Sequence, residues 1–250
     1  MKFFSYIGTR NKQSSNTLKL LSFYIDEVKK QNPTMDISMA SYSASDFQIL
    51  CCKGCVTCFN KGFCPLDKID SFKKVKDDII SSDVVILGSP VYAASVSGDM
   101  KIFIDRLSYW LHLMPLTGKI GVMLITASGN SVIETSSYLN RIMESWGLAV
   151  VSNLLCTVDS PKMLNSPQFK EITIPQHVDI LSKYMYGKPI TPSAYQEKYF
   201  KVLQSTYDMP TAIDNAEVVY WKENGMLSYK NYTDYLDSIK SIKRSILDAN

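Results

Sequence analysis

Apolar residues recur along this chain in two alternating rhythms. Short runs with little or no polar face occupy residues 2–7, 35–40, 83–88, 119–127 and 148–157. Between them, apolar residues return every three or four positions over 15–30, 70–81, 98–113 and 134–146. The first rhythm predicts strands and the second helices. In the helix expected at 15–30, Leu18, Leu20, Leu21 and Ile25 share the inward face. The run Asp83-Val84-Val85-Ile86-Leu87-Gly88 is apolar on both faces, as a parallel strand covered by helices must be. Five strands joined by helices through right-handed crossovers predict an α/β fold, a doubly wound five-stranded parallel sheet.

The rhythm changes after Lys188-Pro189-Ile190-Thr191-Pro192. Beyond this break the pattern is helical, carries no strand signal and is rich in aromatics, among them Tyr195, Phe200, Tyr207, Trp221, Tyr232 and Tyr235. The expected organisation is a core domain over residues 1–187 and a helical C-terminal extension over 188–250. The extension is expected to pack on the core or on another subunit. Because exposed aromatic patches mark interfaces, it suggests a homo-oligomer, a dimer or tetramer.

Composition narrows the function. Of 250 residues, 46% are hydrophobic and 20% charged, enough apolar material for a full core. The 27 basic and 24 acidic residues leave a net charge of +3. Nucleic-acid binders carry a stronger, clustered basic bias, so Lys73-Lys74-Val75-Lys76 and Lys240…Lys243-Arg244 read as solvated helix faces and no nucleic-acid partner is expected. No run approaches the roughly 20 apolar residues needed to cross a bilayer. The apolar run at the N-terminus breaks at Gly8, too early for a secretory signal. A cytoplasmic protein with reduced thiols is the expectation. That makes the cysteines informative, since five of the six lie between Cys51 and Cys64.

Three loops leave strands on the edge where open parallel sheets bind ligands. The first, Gly8–Thr17, supplies hydroxyls, amides, an arginine and a helix start, whose free amides and dipole suit a phosphate. It lacks both G-x-G-x-x-G and G-x-x-x-x-G-K-[ST], which disfavours a dinucleotide or P-loop site. Ser14, Ser15 and Asn16 could equally do no more than cap the helix. In the second loop, Pro90 is expected to end the buried strand and free backbone amides. The third, Thr126-Ala127-Ser128-Gly129-Asn130-Ser131, offers small residues whose amides could meet developing negative charge.

The second loop carries a resemblance. Gly88-Ser89-Pro90-Val91-Tyr92, followed by Ser97-Gly98-Asp99-Met100-Lys101-Ile102-Phe103-Ile104-Asp105-Arg106, resembles the G-S-P-V-Y-x-x-x-x-S-G-x-M-K-x-F-I-D-R signature of the flavodoxin-like NAD(P)H-dependent FMN reductases. The resemblance spans roughly residues 1–187 and implies a flavodoxin-like fold, bound FMN and usually an oligomer. It assigns Thr9, Arg10, Ser15, Asn16 and Thr17 to the phosphate. Pro90, Val91, Tyr92 and Ala93 fall to the isoalloxazine and ribityl chain, and Ser128 and Gly129 to the ring edge. The first loop departs from the common G-S-x-R-x-x-G-N-T form, with Thr9 for serine, Arg10 one place early and Ser14-Ser15 before Asn16. Tyr92, Tyr109 and Trp110 are candidates to line the substrate side of the flavin. Arg106 and His112 are expected to be structural, since flavin chemistry needs no acid–base residue.

Cys52, Cys55, Cys58 and Cys64 form C-x2-C-x2-C-x5-C, closing on Pro65. Such spacing presents three thiolates from short turns and a fourth from a longer reach. It resembles the compact motif of the iron–sulfur flavoproteins, a branch of the same family with a [4Fe–4S] cluster near FMN. Zinc or free redox thiols are the alternatives. Cys51 and Cys156 fall outside the pattern. The expected function is FMN-dependent electron transfer between a reduced donor, NAD(P)H or ferredoxin, and a small-molecule or protein acceptor. The alternatives are a cluster-free NAD(P)H reductase of quinones, azo compounds or flavin, and a flavodoxin-type carrier.

Overall fold

The computed structural model describes residues 1–157, 163–209 and 215–248, with side chains described to residue 241. Of six strands, β1 (Lys2–Ile7), β2 (Ser38–Ser43), β3 (Val84–Tyr92), β4 (Ser95–Val96), β5 (Ile120–Ala127) and β6 (Ala149–Thr157), five make the sheet order β2-β1-β3-β5-β6. These five strands are parallel, and β4 adds only a short antiparallel hairpin to β3. The order is that of the flavodoxin-like doubly wound fold, whose switch point lies between β1 and β3.

The two-residue period of the strands divides the core into two layers. Phe4, Tyr6, Val85, Leu87, Met123 and Ile125 face one side, where α3 (Phe72–Ser81), α4 (Gly98–Arg106), α5 (Trp110–Leu113) and α6 (Val132–Ser145) cover them. Phe3, Ile7, Val84, Ile86, Val122 and Leu124 face the other side, under α1 (Asn16–Gln31) and α7 (Ile174–Met185). Between these layers β3 from Val84 to Leu87 has no measurable exposure, matching its uninterrupted apolar sequence.

Several expected boundaries move. β2 lies at Ser38–Ser43 rather than 35–40, because Met35 and Ile37 pack on the core from the preceding loop. β3 does not end at Pro90: it continues to Tyr92, with Pro90 in register with Thr126. The chain then reverses through Ala93 and Ala94, at φ 48° and 63°. Two consecutive positive φ values are those of a type I′ hairpin turn, which suits the twist of the flanking strands. The helix expected at 98–113 breaks between Arg106 and Trp110 into α4 and α5.

The C-terminal extension has its own small core, built by α8 (Ala194–Tyr207), α9 (Ala216–Glu223) and α10 (Tyr232–Asp248). Phe200 and Trp221 are fully buried there with Tyr232 and Tyr235, and Met114 of the sheet domain joins them. Polar contacts fix it in place. Trp221 Nε1 donates to the His112 carbonyl at 2.8 Å, and Gln196 Nε2 to the Glu144 and Leu148 carbonyls at 3.2 and 3.0 Å. The tail aromatics among the described residues are therefore spent largely inside the chain, and none of them is among its exposed large hydrophobic residues.

Candidate functional site

The N-terminus of α1 opens at the carboxyl edge of the sheet. Ser15 caps it, its Oγ accepting from the Leu18 amide at 3.2 Å. The amides of Asn16 and Thr17, in the first turn, have no carbonyl four residues back within the helix. Upstream, Asn11 and Ser14 lock the loop: Asn11 Nδ2 donates to Ser14 Oγ at 2.6 Å, and the Ser14 amide donates to Asn11 Oδ1 at 3.0 Å. Thr17 is buried and shares a 2.6 Å hydrogen bond with Thr126 Oγ1 at the end of β5. Ser97 ties the second loop to the first, donating to the Gly8 carbonyl at 2.5 Å while capping α4.

These loops enclose a cleft of about 240 Å³ beside the switch point. Of the residues expected at a flavin, Thr9, Ser15, Asn16, Thr17, Pro90, Val91, Tyr92 and Ser128 line it. Arg10, Ala93 and Gly129 do not. Arg10 turns away to Asp99, holding both carboxylate oxygens through Nε at 3.0 and 3.1 Å, with Nη2 at 2.8 Å from Oδ1. Asn11, Ser14, Thr126 and Ala127 line the cleft although the resemblance assigned them nothing. Their signal was positional, since each lies inside a loop already singled out. Among the described residues, no charged side chain lines the cleft. An anion there would be met by hydroxyls, amides and the positive end of α1, a donor set that fits a phosphate monoester such as that of FMN.

The cysteine segment follows β2 onto the same edge. Positive φ values at Gly54 (64°) and Gly62 (76°) allow the sharp turns on either side of α2 (Thr57–Lys61). Cys52, Cys55, Cys58 and Cys64 all line one mostly apolar cavity of about 340 Å³, with Leu66 and Ile69 among its walls. Cys51 and Cys156 do not line it. It shares no lining residue with the first cleft. Burial and the neighbouring Cys64 and Cys52 push the Cys58 thiol up to about 11. Cys55 is held below the usual thiol value, chiefly because Thr57 Oγ1 donates to its Sγ at 3.4 Å. Among the described residues, no three His, Cys, Asp or Glu side chains come together tightly enough to hold a metal ion. The donor set, four sulfurs lining one mostly apolar cavity, with Cys52 and Cys55 exposed and Cys64 buried, fits a thiolate-ligated cluster in kind.

Arg106 closes this loop at both ends. Its fully buried guanidinium donates through Nη1 to the Leu50 carbonyl at 2.9 Å and to Asp70 Oδ2 at 2.5 Å. Through Nη2 it reaches Asp67 Oδ1 at 2.8 Å and Asp70 Oδ1 at 3.2 Å. It lies over the Phe72 ring, 5.0 Å from the centroid. Lys76 forms a second buried ion pair with Asp67. The extension presses on the loop from outside, with α9 packed on α2, and from α5 the His112 ring meets Phe59 at 5.3 Å. Buried Glu217 holds His112 Nδ1 at 2.7 Å and accepts from Tyr207 at 3.1 Å. Arg106 and His112 thus sit in structural networks. Tyr109 and Trp110 do not line the first cleft; they wall a separate cavity beside Cys64.

Comparison with known proteins agrees with this geometry. An iron-sulfur flavoprotein of Archaeoglobus fulgidus is 33% identical over 153 residues, covering 60% of this chain and 66% of the relative. An iron-sulfur flavoprotein of Clostridioides difficile is 32% identical over 95 residues, covering 38% of this chain and 41% of the relative. The chain thus spans about two thirds of the first relative's length and less than half of the second's. Among solved structures, an apo NADH:FMN oxidoreductase superposes with a TM-score of 0.57 at 19% identity, covering 78% of this chain and 95% of that one. An FMN-dependent NADH-azoreductase from Bacillus anthracis gives 0.56 at 9% identity, covering 73% and 100%. Both likenesses are of fold. Residues 1–160 match the family described as NADPH-dependent FMN reductase, which is well over half of the chain, and the protein belongs to that family.

Proposed function

We propose that the chain is an FMN-dependent oxidoreductase of the iron–sulfur flavoprotein kind, passing electrons between a reduced donor, NAD(P)H or ferredoxin, and an acceptor. One observation carries the reading. A hydroxyl-lined cleft at a helix N-terminus and a cavity lined by all four cysteines of the C-x2-C-x2-C-x5-C motif open separately on one sheet edge. FMN, when bound, supplies the redox chemistry itself. The protein's part is to hold and shield it. Ser15, Asn16 and Thr17 offer hydroxyls and first-turn amides to the phosphate, and Pro90, Val91 and Tyr92 present an apolar wall to the ring. Cys52, Cys55, Cys58 and Cys64 would hold a [4Fe–4S] cluster, with Arg106 fixing the ends of their loop.

Tyr92, the last residue of β3, and Ile133, in the first turn of α6, are exposed at 59% and 65% and offer apolar surface to a second subunit in a homo-oligomer. Among the described residues no two cysteines are joined in a disulfide, in keeping with a cytoplasmic, reducing setting. The second reading is a cluster-free NAD(P)H reductase, favoured by the absence, among the described residues, of three thiols gathered around one point. The test is to identify the heat-released cofactor by mass and to follow reduction of anaerobic protein by NADPH and by reduced ferredoxin. FMN with reduction by ferredoxin supports the proposal. FAD alone would overturn it, and rapid full reduction by NADPH of iron-free protein would establish the second reading.

A further inference from the structure

A cavity of about 490 Å³, larger than the first cleft, lies between α3, α5 and α9 and shares only Cys64 with the cysteine cavity's four thiols and no residue with the first cleft. Its walls are mostly apolar and aromatic: Phe63, Ile80, Tyr109, Trp110, Leu113 and Tyr220. Phe63 and Ile80 are 45% and 44% exposed at its open side, so this is surface reachable from solvent and not a packing fault. Tyr109 and Trp110, 6% and 4% exposed, meet edge to face, 6.3 Å between centroids, and form the buried aromatic floor of the cavity. Tyr220 comes from the C-terminal extension, so the cavity is complete only because the extension docks.

Its charges are arranged with a sign. The lining carboxylates are both engaged, Asp67 with Arg106 and Lys76, and Asp77 with Lys73. The third lining lysine, the exposed Lys68, has no carboxylate partner among the described residues. The buried Lys76 ammonium donates to Tyr109 Oη at 3.4 Å as well as to Asp67, which holds the Tyr109 ring in the wall. A concave site of a few hundred Å³ with apolar walls and a few placed polar groups is the form of a small-molecule site.

From this we infer that the cavity is a second ligand site, taking a planar aromatic molecule that carries one anionic group. The ring system lies among Trp110, Tyr109, Leu113 and Tyr220, and the anion faces Lys68 and Lys73. Cys64 is shared between this cavity and the cysteine cavity, so an occupant would lie against the loop that closes the thiol site. The binding itself does not depend on the flavin or cluster reading.

The experiment is calorimetric titration of full-length, flavin-loaded protein with naphthalene-2-sulfonate, and with 2-naphthol as the uncharged control. One site per chain is expected, with a Kd on the order of 0.1–1 mM for so small a ligand, and weaker binding of the naphthol. Ile80→Asp and Lys68→Glu, both at exposed positions, should each weaken the sulfonate about tenfold or more while flavin content and thermal midpoint stay unchanged. The Lys68→Glu effect should fade for the naphthol. Absence of binding would overturn the inference. So would affinity indifferent to both substitutions, or binding seen only in flavin-free protein and displaced by FMN, which would place the probe in the flavin cleft.

Discussion

Replacing Arg106 by methionine keeps a long side chain over Phe72 but removes a charge that has no exposed surface. Four hydrogen bonds disappear, and the carboxylates of Asp67 and Asp70, 11% and 5% exposed, lose their shared cation. Asp67 retains Lys76, while the only ion-pair partner Asp70 has among the described residues is Arg106. Breaking a buried pair by removing one partner costs about 3–5 kcal/mol, because the remaining charge is stranded. Set against a typical domain stability of about 5–15 kcal/mol, that is a large fraction. At roughly 2–4 °C per kcal/mol for a chain of this size, the thermal midpoint should fall by about 6–20 °C.

Urea denaturation of iron-free, flavin-loaded protein, followed by circular dichroism, measures the cost directly. Limited proteolysis should show new cutting between Leu50 and Asp70. Asp70→Asn in the same background should recover part of the loss, as coupled neighbours do. The acid limb of the stability curve offers a second check. Burial pushes the Asp70 carboxyl up, but hydrogen bonds from Arg106 and the Leu50 amide outweigh it and hold the group below its ordinary value. A depressed carboxylate contributes stability above its unfolded value of about 3.9 and loses it as pH falls through the folded one. That limb should flatten in Arg106→Met. A cost below about 1 kcal/mol with unchanged proteolysis would refute the clamp.

Other outcomes follow from the same structure. Ser15→Ala removes the cap of α1 and should cost about 1 kcal/mol of stability and weaken FMN retention, read by flavin fluorescence on dilution. Arg10→Ala should leave FMN affinity nearly unchanged while Arg10 stays on Asp99; a loss of about 1–3 kcal/mol would show that it leaves that pair for the phosphate. Burial lowers the His177 value below that of a free histidine, beside Ser152 at 3.1 Å. A depressed histidine stabilises the fold above its unfolded value of about 6.5 and withdraws that support as pH falls through the folded one, so His177→Gln should reduce the stability lost below about pH 6. A chain ending at Gly187 loses the partners of Met114 and should be insoluble or partly unfolded; a well-folded, soluble product would refute the packing described for the extension.

The parts legible in the sequence were those governed by local pattern. The run Val84–Leu87 reads as a buried strand because both its faces are covered, and it is one. Ser38–Ser43 is an edge strand rich in serine, so its pattern is weak, and the apolar Met35 and Ile37 drew the expectation three residues early. Pro90 lacks a donor yet stays in the ladder, since β3 needs no amide there to remain in register with Thr126. Nothing local marks the break between α4 and α5, because Leu107-Ser108-Tyr109 holds neither glycine nor proline. The start of α7 is masked in the sequence by Pro175, which reads as a break yet sits harmlessly in the first turn.

The site divides in the same way. The three loops and the cysteine spacing could be read because the fold places loops that follow parallel strands on one edge. Arg10 could not be placed, because its partner Asp99 is 89 residues away. The Arg106 clamp joins residues 36 to 56 positions apart and exists only in the folded chain. The burial of the tail aromatics depends on where α8 to α10 dock, which their helical period does not specify.

Iron and labile sulfide, measured per chain after anaerobic purification and reconstitution, test the central claim most directly. The proteins compared are the natural chain, Cys58→Ser, Cys51→Ser and Cys156→Ser, with FMN determined in each. The account predicts about four irons per chain, the content of one [4Fe–4S] cluster, in all but Cys58→Ser, and FMN in every protein. Iron retained in Cys58→Ser, or none in the natural chain after strict anaerobic reconstitution, would contradict it.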